Sequence, residues 1–116
     1  MHDTNNIFAK IIRGEVPSSK VYEDDKILAF HDISKAAPIH VLVIPKGEYL
    51  DYSDFIAKAS KEDVAHYFTK INEIASSLGL AEHGFRLCSN NGAKSGQSVF
   101  HFHTHILGGA NFGGVV

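Results

Sequence analysis

The sequence predicts an α+β domain built on an antiparallel sheet, and three observations predict it. Strand-like segments come first, then one long stretch of helical period, then two more strand-like segments; that order argues against alternating βαβ units. The long stretch, from Ser60 to Gly79, sets Val64, Phe68, Ile71, Ala75 and Leu78 on one helical stripe, and Ser60 with Asp63 has the spacing of a capping box. The segment from His40 to Ile44 is continuous and β-branched, as a central strand should be.

The elements follow in order. Asn5 or Asn6 caps a short helix whose apolar stripe is Ile7, Phe8, Ile11 and Ile12. Gly14 ends it, and Pro17 prevents its resumption. Lys20 to Tyr22 and Ile27 to His31 read as strands joined by a turn at Glu23-Asp24-Asp25-Lys26. Pro38 and Pro45 bracket the central strand. Asp51 to Ala59 reads as a weak helix ahead of the long one. Phe85 to Ser89 is a further strand, Asn90 to Ser98 a glycine-bearing loop, and Val99 to Leu107 the last strand.

With 116 residues, the chain is expected to form one domain over positions 1–116. Apolar residues make up 44% and charged residues 21%, which excludes a disordered chain. A net charge of −2 gives no general attraction to nucleic acid or an anionic membrane, so any anion site must be built locally. Cys88 is the lone cysteine, which excludes an internal disulfide and a cysteine-rich metal frame; it reads as a small buried hydrophobe. The first six residues are polar and no apolar run approaches the roughly 20 residues of a membrane helix. The expectation is a soluble, cytoplasmic protein.

Three of the eight histidines, His101, His103 and His105, fall within five residues. On a strand they project from one face, spaced ~6.6–6.8 Å apart, while Phe100, Phe102, Thr104 and Ile106 take the other face and pack on the long helix. Three charged imidazoles side by side would repel, so at least one must be neutral, or the row must recruit an anion or a metal. A neutral imidazole has a lone pair for attack on phosphorus or for zinc; charged neighbours can hold phosphate oxygens. The loop before the strand favours phosphate. Gly92 and Gly96 permit positive φ and close backbone approach, successive amides there can cradle an anion, and Asn90 and Ser98 add polar side chains. Single histidines elsewhere, His66 and His83, read as structural.

Gly96-Gln97-Ser98-Val99-Phe100-His101-Phe102-His103-Thr104-His105-Ile106-Leu107-Gly108-Gly109 resembles the histidine-triad (HIT) motif, in which three histidines alternate with apolar residues. The stretches from Ile7 to Pro17, Phe30 to Ile33 and Pro38 to Lys46 resemble the family's opening and middle. Gln-Ser before the triad and Leu-Gly-Gly after it are similar to the Hint branch of nucleoside phosphoramidate hydrolases.

That resemblance implies a five-stranded antiparallel sheet with one long and one short helix, dimerising into a ten-stranded sheet. It implies that His103 is the nucleophile, displacing an amine from the α-phosphate of a purine nucleotide to give a nucleotidyl-histidine that water then hydrolyses. A backbone carbonyl of the histidine strand would fix Nδ1–H of His103, His40 would orient the site from behind, and His101 completes the triad. His105 and Ser98 would contact the phosphate and the leaving group, with Asn90, Gly96, Gln97 and Val99 around the same phosphate. Asp32 would accept from the ribose hydroxyls, and Phe8, Ile11, Ile33 and Leu42 would enclose the base. No metal or other cofactor is implied. Two departures stand out: Thr104 occupies an apolar position, where a buried hydroxyl needs a partner, and the tail after Gly109 is short and lacks tryptophan. Three other readings remain open. The chain could hydrolyse dinucleoside polyphosphates, bind nucleotides as a scaffold with incidental turnover, or hold zinc on its three histidines.

Overall fold

The computed structural model describes residues 2–114. Helix α1 (Ile7–Ile12) is capped by Asn6, whose side chain accepts from the Ala9 amide; Arg13 follows it and Gly14 turns away at φ 77°. Strands β1 (Lys20–Glu23), β2 (Ile27–His31) and β3 (Ile39–Pro45) form an antiparallel meander. Helix α2 (Tyr52–Lys58) is capped by Asp51, and α3 (Lys61–Ser77) by Ser60, which accepts from the Asp63 amide. Strands β4 (Arg86–Cys88) and β5 (Thr104–Gly108) complete one five-stranded sheet of order β1-β2-β3-β5-β4. Every pairing is antiparallel. Two short helices therefore accompany the long one, and no helix among the described residues is long and apolar enough to cross a membrane.

The sheet separates two apolar layers. On one face Ile27, Ala29, Val41, Val43, Phe102 and Ile106 pack with Phe55 of α2 and Tyr67, Ile71, Ile74 and Ala75 of α3. On the other, Leu28, Phe30, Leu42 and Ile44 pack with Phe8 and Ile11 of α1. Strand β3 is buried on both faces, hence its unbroken apolar run. In α3 the inward arc passes through Tyr67 rather than Phe68: Tyr67 is buried, Phe68 is 37% exposed. Tyr67 reaches into the sheet because its hydroxyl finds partners there, at the Val43 carbonyl (2.8 Å) and Thr104 Oγ1 (2.9 Å). Ile7 of the α1 stripe is likewise exposed.

The last strand begins at Thr104, five residues later than its apolar composition predicts. The β3–β5 register explains the delay. Val43 pairs with Thr104, so continuing the ladder would set Pro45 opposite Phe102. Pro45 has no N–H to give, and the Phe102 amide instead donates to the Tyr49 carbonyl at 2.7 Å. Phe100, outside the ladder, is exposed rather than packed on α3. Strand β4 is also shorter than the Phe85–Ser89 expected, and Cys88 on it is half-buried, opposite His105 in register.

Candidate active site

The alternation of the triad survives although only His105 lies in a regular strand. Phe102, Thr104 and Ile106 face α3; His101, His103 and His105 face α1. The Phe8 ring meets His103 edge-on with centroids 4.9 Å apart, and the His103 and His105 centroids are 5.2 Å apart. Leu42 of β3 is the direct cross-strand neighbour of His105, so the apolar layer under α1 runs straight into the histidine row. A cavity of about 310 Å³ lined by Lys26, Pro45, Phe55 and Tyr67 lies on the opposite face of the sheet and includes none of the three histidines.

Backbone groups decide where each imidazole carries its proton. The His101 carbonyl can only accept, and His103 Nδ1 lies 2.7 Å from it, so Nδ1 bears the hydrogen and Nε2 keeps the lone pair. The Pro45 carbonyl likewise fixes the hydrogen of His101 on Nε2, at 2.8 Å. At His40 the logic reverses: the Ala36 amide donates to Nδ1 at 3.1 Å, so the ring hydrogen sits on Nε2. Nε2–H of His40 then donates to His105 Nδ1 at 2.7 Å, which places the hydrogen of His105 on its own Nε2. The row thus presents, side by side, one imidazole with an unshared lone pair (His103) and one with an N–H donor (His105).

Burial keeps the row uncharged. Desolvation lowers His101 to about 4 and His105 to about 4; a proton on either would also meet neighbouring imidazoles, His2 and His103 for the first, His103 and His40 for the second. His103 is lowered by the same desolvation, opposed by its bond to the His101 carbonyl and by the Asp32 carboxylate. At neutral pH the His103 lone pair is therefore available.

Asp32 follows β2 and continues its ladder, the Asp32 amide donating to the His40 carbonyl at 2.9 Å. Its carboxylate accepts from the Ser34 amide and lies 3.4 Å from His40 Nε2. Asp32, His40 and His105 place one potential ligand atom each within 4.8 Å of one another, a spacing that suits a cation. The donor chemistry does not: the Ala36 amide occupies the Nδ1 lone pair of His40, so Nε2 is protonated and has none to offer. Nor do the three triad rings aim lone pairs at one point, since His101 spends Nε2 on Pro45 and Nδ1 on His2.

The remaining residues singled out by sequence divide. Phe8, Ile11 and Leu42 are buried together beside the row. Ile33 is 99% exposed in the loop after β2 and belongs to neither apolar layer. Ser98 is exposed, and Asn90 and Val99 are half-buried. Gly96 and Gly92 adopt φ of 101° and 91°, as the loop's glycines were expected to. Gln97 is buried and its side chain braces the loop: Oε1 accepts from the Gly92 amide and Nε2 donates to the Leu50 and Val99 carbonyls. The Gly92 amide is thereby committed within the loop. His66 bonds Asp24 across from α3 to the β1–β2 turn, the structural use expected of it, while His83 is exposed. Sequence reasoning missed His2 and the Ala36 amide. Neither carries a spacing signal, because both reach the row through the fold alone.

An antiparallel sheet presenting a buried, mainly uncharged row of imidazoles, one with its lone pair unshared, defines a class of histidine-centred α+β proteins. The comparisons give the family: residues 13–112 match the HIT domain, and the chain belongs to that family. It is 52% identical over 116 residues, all of this chain and 97% of the relative, to an uncharacterised HIT-like protein of Rickettsia prowazekii. Among solved structures it is similar to a histidine triad protein of Clostridium difficile, with TM-score 0.87, 41% identity and full coverage of both chains. It is also similar to a HIT family hydrolase of Clostridium thermocellum, with TM-score 0.85 and 39% identity over 97% of this chain and 96% of that one.

Proposed function

We propose that the protein is a hydrolase that cleaves the P–N bond of purine nucleoside 5′-phosphoramidates through a nucleotidyl-histidine intermediate on His103. The observation that carries this reading is the Nδ1–H bond of His103 to the His101 carbonyl, which leaves Nε2 as an unshared, desolvated lone pair. Nε2 attacks the α-phosphorus, the P–Nε2 bond forms, and the P–N bond to the amine breaks. The amine leaves with a proton. In this reading His105 Nε2–H and the Ser98 hydroxyl hydrogen-bond the non-bridging oxygens and the leaving nitrogen, and the amine takes its proton from solvent through the Ser98 hydroxyl, which is reprotonated as it gives, help worth roughly 10²–10⁴ in rate. Water then attacks phosphorus, the P–Nε2 bond breaks, and nucleoside monophosphate departs with His103 regenerated.

In this reading Asp32 accepts from the ribose hydroxyls while its carboxylate steadies His40, and Phe8, Ile11 and Leu42 form the apolar floor for the base, with Ile33 able to cover it from the loop. Asn90, Gly96, Gln97 and Val99 shape the phosphate loop, Gln97 from behind. The working form is a cytoplasmic homodimer with a ten-stranded sheet, each chain a single HIT domain. Incubation with adenosine 5′-monophosphoramidate should release AMP, and His103→Ala should abolish the release. Intact mass should show a nucleotide adduct lost in His103→Ala. Equal release from wild type and His103→Ala, or none from wild type, overturns the reading.

A further inference from the structure

A fourth histidine belongs to the row. His2, on the segment before α1, lies with Nε2 2.9 Å from His101 Nδ1, the two rings meeting edge-on with centroids 5.0 Å apart. His101 is 1% exposed, and its Nε2–H is committed to the Pro45 carbonyl. Its Nδ1 is thus a buried acceptor that water does not reach, and His2 supplies its donor. With His101 neutral and its hydrogen on Nε2, only a lone pair remains on Nδ1, so His2 carries its hydrogen on Nε2; the Asn6 amide nitrogen, 3.4 Å from the same atom, gives its short hydrogen bond to the Asp3 carbonyl at 2.7 Å.

His2 holds this pose at a cost. Its Nδ1 is buried with no hydrogen-bond partner among the described residues. Of the two ring nitrogens only Nε2 is bonded, and its shortest bond, to His101, is the contact that fixes the pose. The consequence reaches the reacting atom. The ring and the carbonyl of His101 are one residue: Pro45 and His2 clamp the ring from its two nitrogens, and the carbonyl of that clamped residue receives Nδ1–H of His103.

We propose that His2 is a positioning residue: by donating to His101 Nδ1 it fixes the residue whose carbonyl aims the His103 lone pair. As a statement about catalysis this rests on the function proposed above; as a statement about the His2–His101 bond it does not.

Two variants test it. His2→Phe keeps an aromatic ring for the edge-on contact and removes the donor; His2→Gln keeps an N–H at about the reach of Nε2. Each is checked for native circular dichroism, then measured at pH 7.5 in two ways: ¹⁵N shifts of the His101 ring, and kcat and KM with adenosine 5′-monophosphoramidate. In wild type and His2→Gln, His101 Nδ1 should show the shift of a hydrogen-bonded acceptor. In His2→Phe it should move to that of a free lone pair, and kcat should fall roughly 10-fold with little change in KM, the size expected when a supporting hydrogen bond is removed. An unmoved His101 shift or an unchanged kcat in His2→Phe overturns the proposal. So does a loss in His2→Gln equal to that in His2→Phe, or unfolding of both, since either would mark a purely structural role. If wild type turns over no phosphoramidate, the proposed function fails, and the ¹⁵N shifts still decide the His2–His101 bond.

Discussion

Replacing Tyr67 by phenylalanine should destabilise the protein by taking the donor from the Val43 carbonyl and the acceptor from the Thr104 hydroxyl, while leaving its packing volume unchanged. The Tyr67 hydroxyl is buried, and bonds both the Val43 carbonyl at 2.8 Å and Thr104 Oγ1 at 2.9 Å. Val43 and Thr104 are register partners on the two central strands, so one hydroxyl from α3 pins β3 to β5 at the start of the final strand. Each buried polar group left unpaired costs about 1–3 kcal/mol. The Thr104 hydroxyl can rotate to donate to a neighbouring acceptor and recover part of that, which sets the expected loss near 2 kcal/mol. With an unfolding entropy of roughly 2.1 cal/mol/K per residue, that is a fall in Tm of about 8 °C. Thr104→Val removes the partner instead of the donor, and the Tyr67 hydroxyl keeps Val43, so its cost should be nearer 1 kcal/mol. The double variant should cost about 1 kcal/mol less than the sum of the two, because each single change strands a group that the double change removes. Urea unfolding of the four proteins measures the cycle. Strict additivity, or a Tyr67→Phe variant as stable as wild type, would refute the argument that this clip is the partner the Thr104 hydroxyl requires.

Stability should depend on pH in a defined direction. Burial holds His101 and His105 at about 4 in the folded protein, below the ordinary value near 6.5, so between those limits the unfolded chain binds more protons. Their contribution is complete above pH 6.5 and is lost as pH falls toward 4, on the order of 3 kcal/mol for the nearly inaccessible His101; urea midpoints from pH 8 to 4 should fall through that window, and a flat profile would contradict it. His40→Ala removes the donor to His105 Nδ1, frees that ring to switch its hydrogen to Nδ1, and should lower kcat by roughly 10–100-fold, with His40→Gln less severe; stopped assays with adenosine 5′-monophosphoramidate decide. Treatment with a chelator should leave activity and Tm unchanged, because the Ala36 amide removes the lone pair His40 would need as a ligand; elemental analysis finding about one zinc per chain would show that assignment wrong.

What the residues alone determine is largely what repeats at short range. Asn6 and Ser60 cap their helices because an Asx or Ser oxygen faces the amides three residues on, wherever the helix is placed. The unbroken apolar run of β3 follows from burial on both faces, and the two-residue period puts His101, His103 and His105 on one side even where no regular strand exists. The grouping of Phe8, Ile11 and Leu42 near that row was legible through the resemblance to a known motif. What only the tertiary structure decides is where hydrogens and partners go. The late start of β5 depends on Pro45 falling opposite Phe102, a matter of register between segments some 60 positions apart. Tyr67 rather than Phe68 faces inward, where its hydroxyl finds the carbonyl of Val43 and the hydroxyl of Thr104 as partners. The protonation pattern of the row is set by the Ala36 amide and the Pro45 and His101 carbonyls, and by His2, which contacts the row from 99 residues away in the chain. Periodicity can say which way a side chain points. It carries no record of which backbone group waits there, and for an imidazole that group decides between a lone pair and a proton.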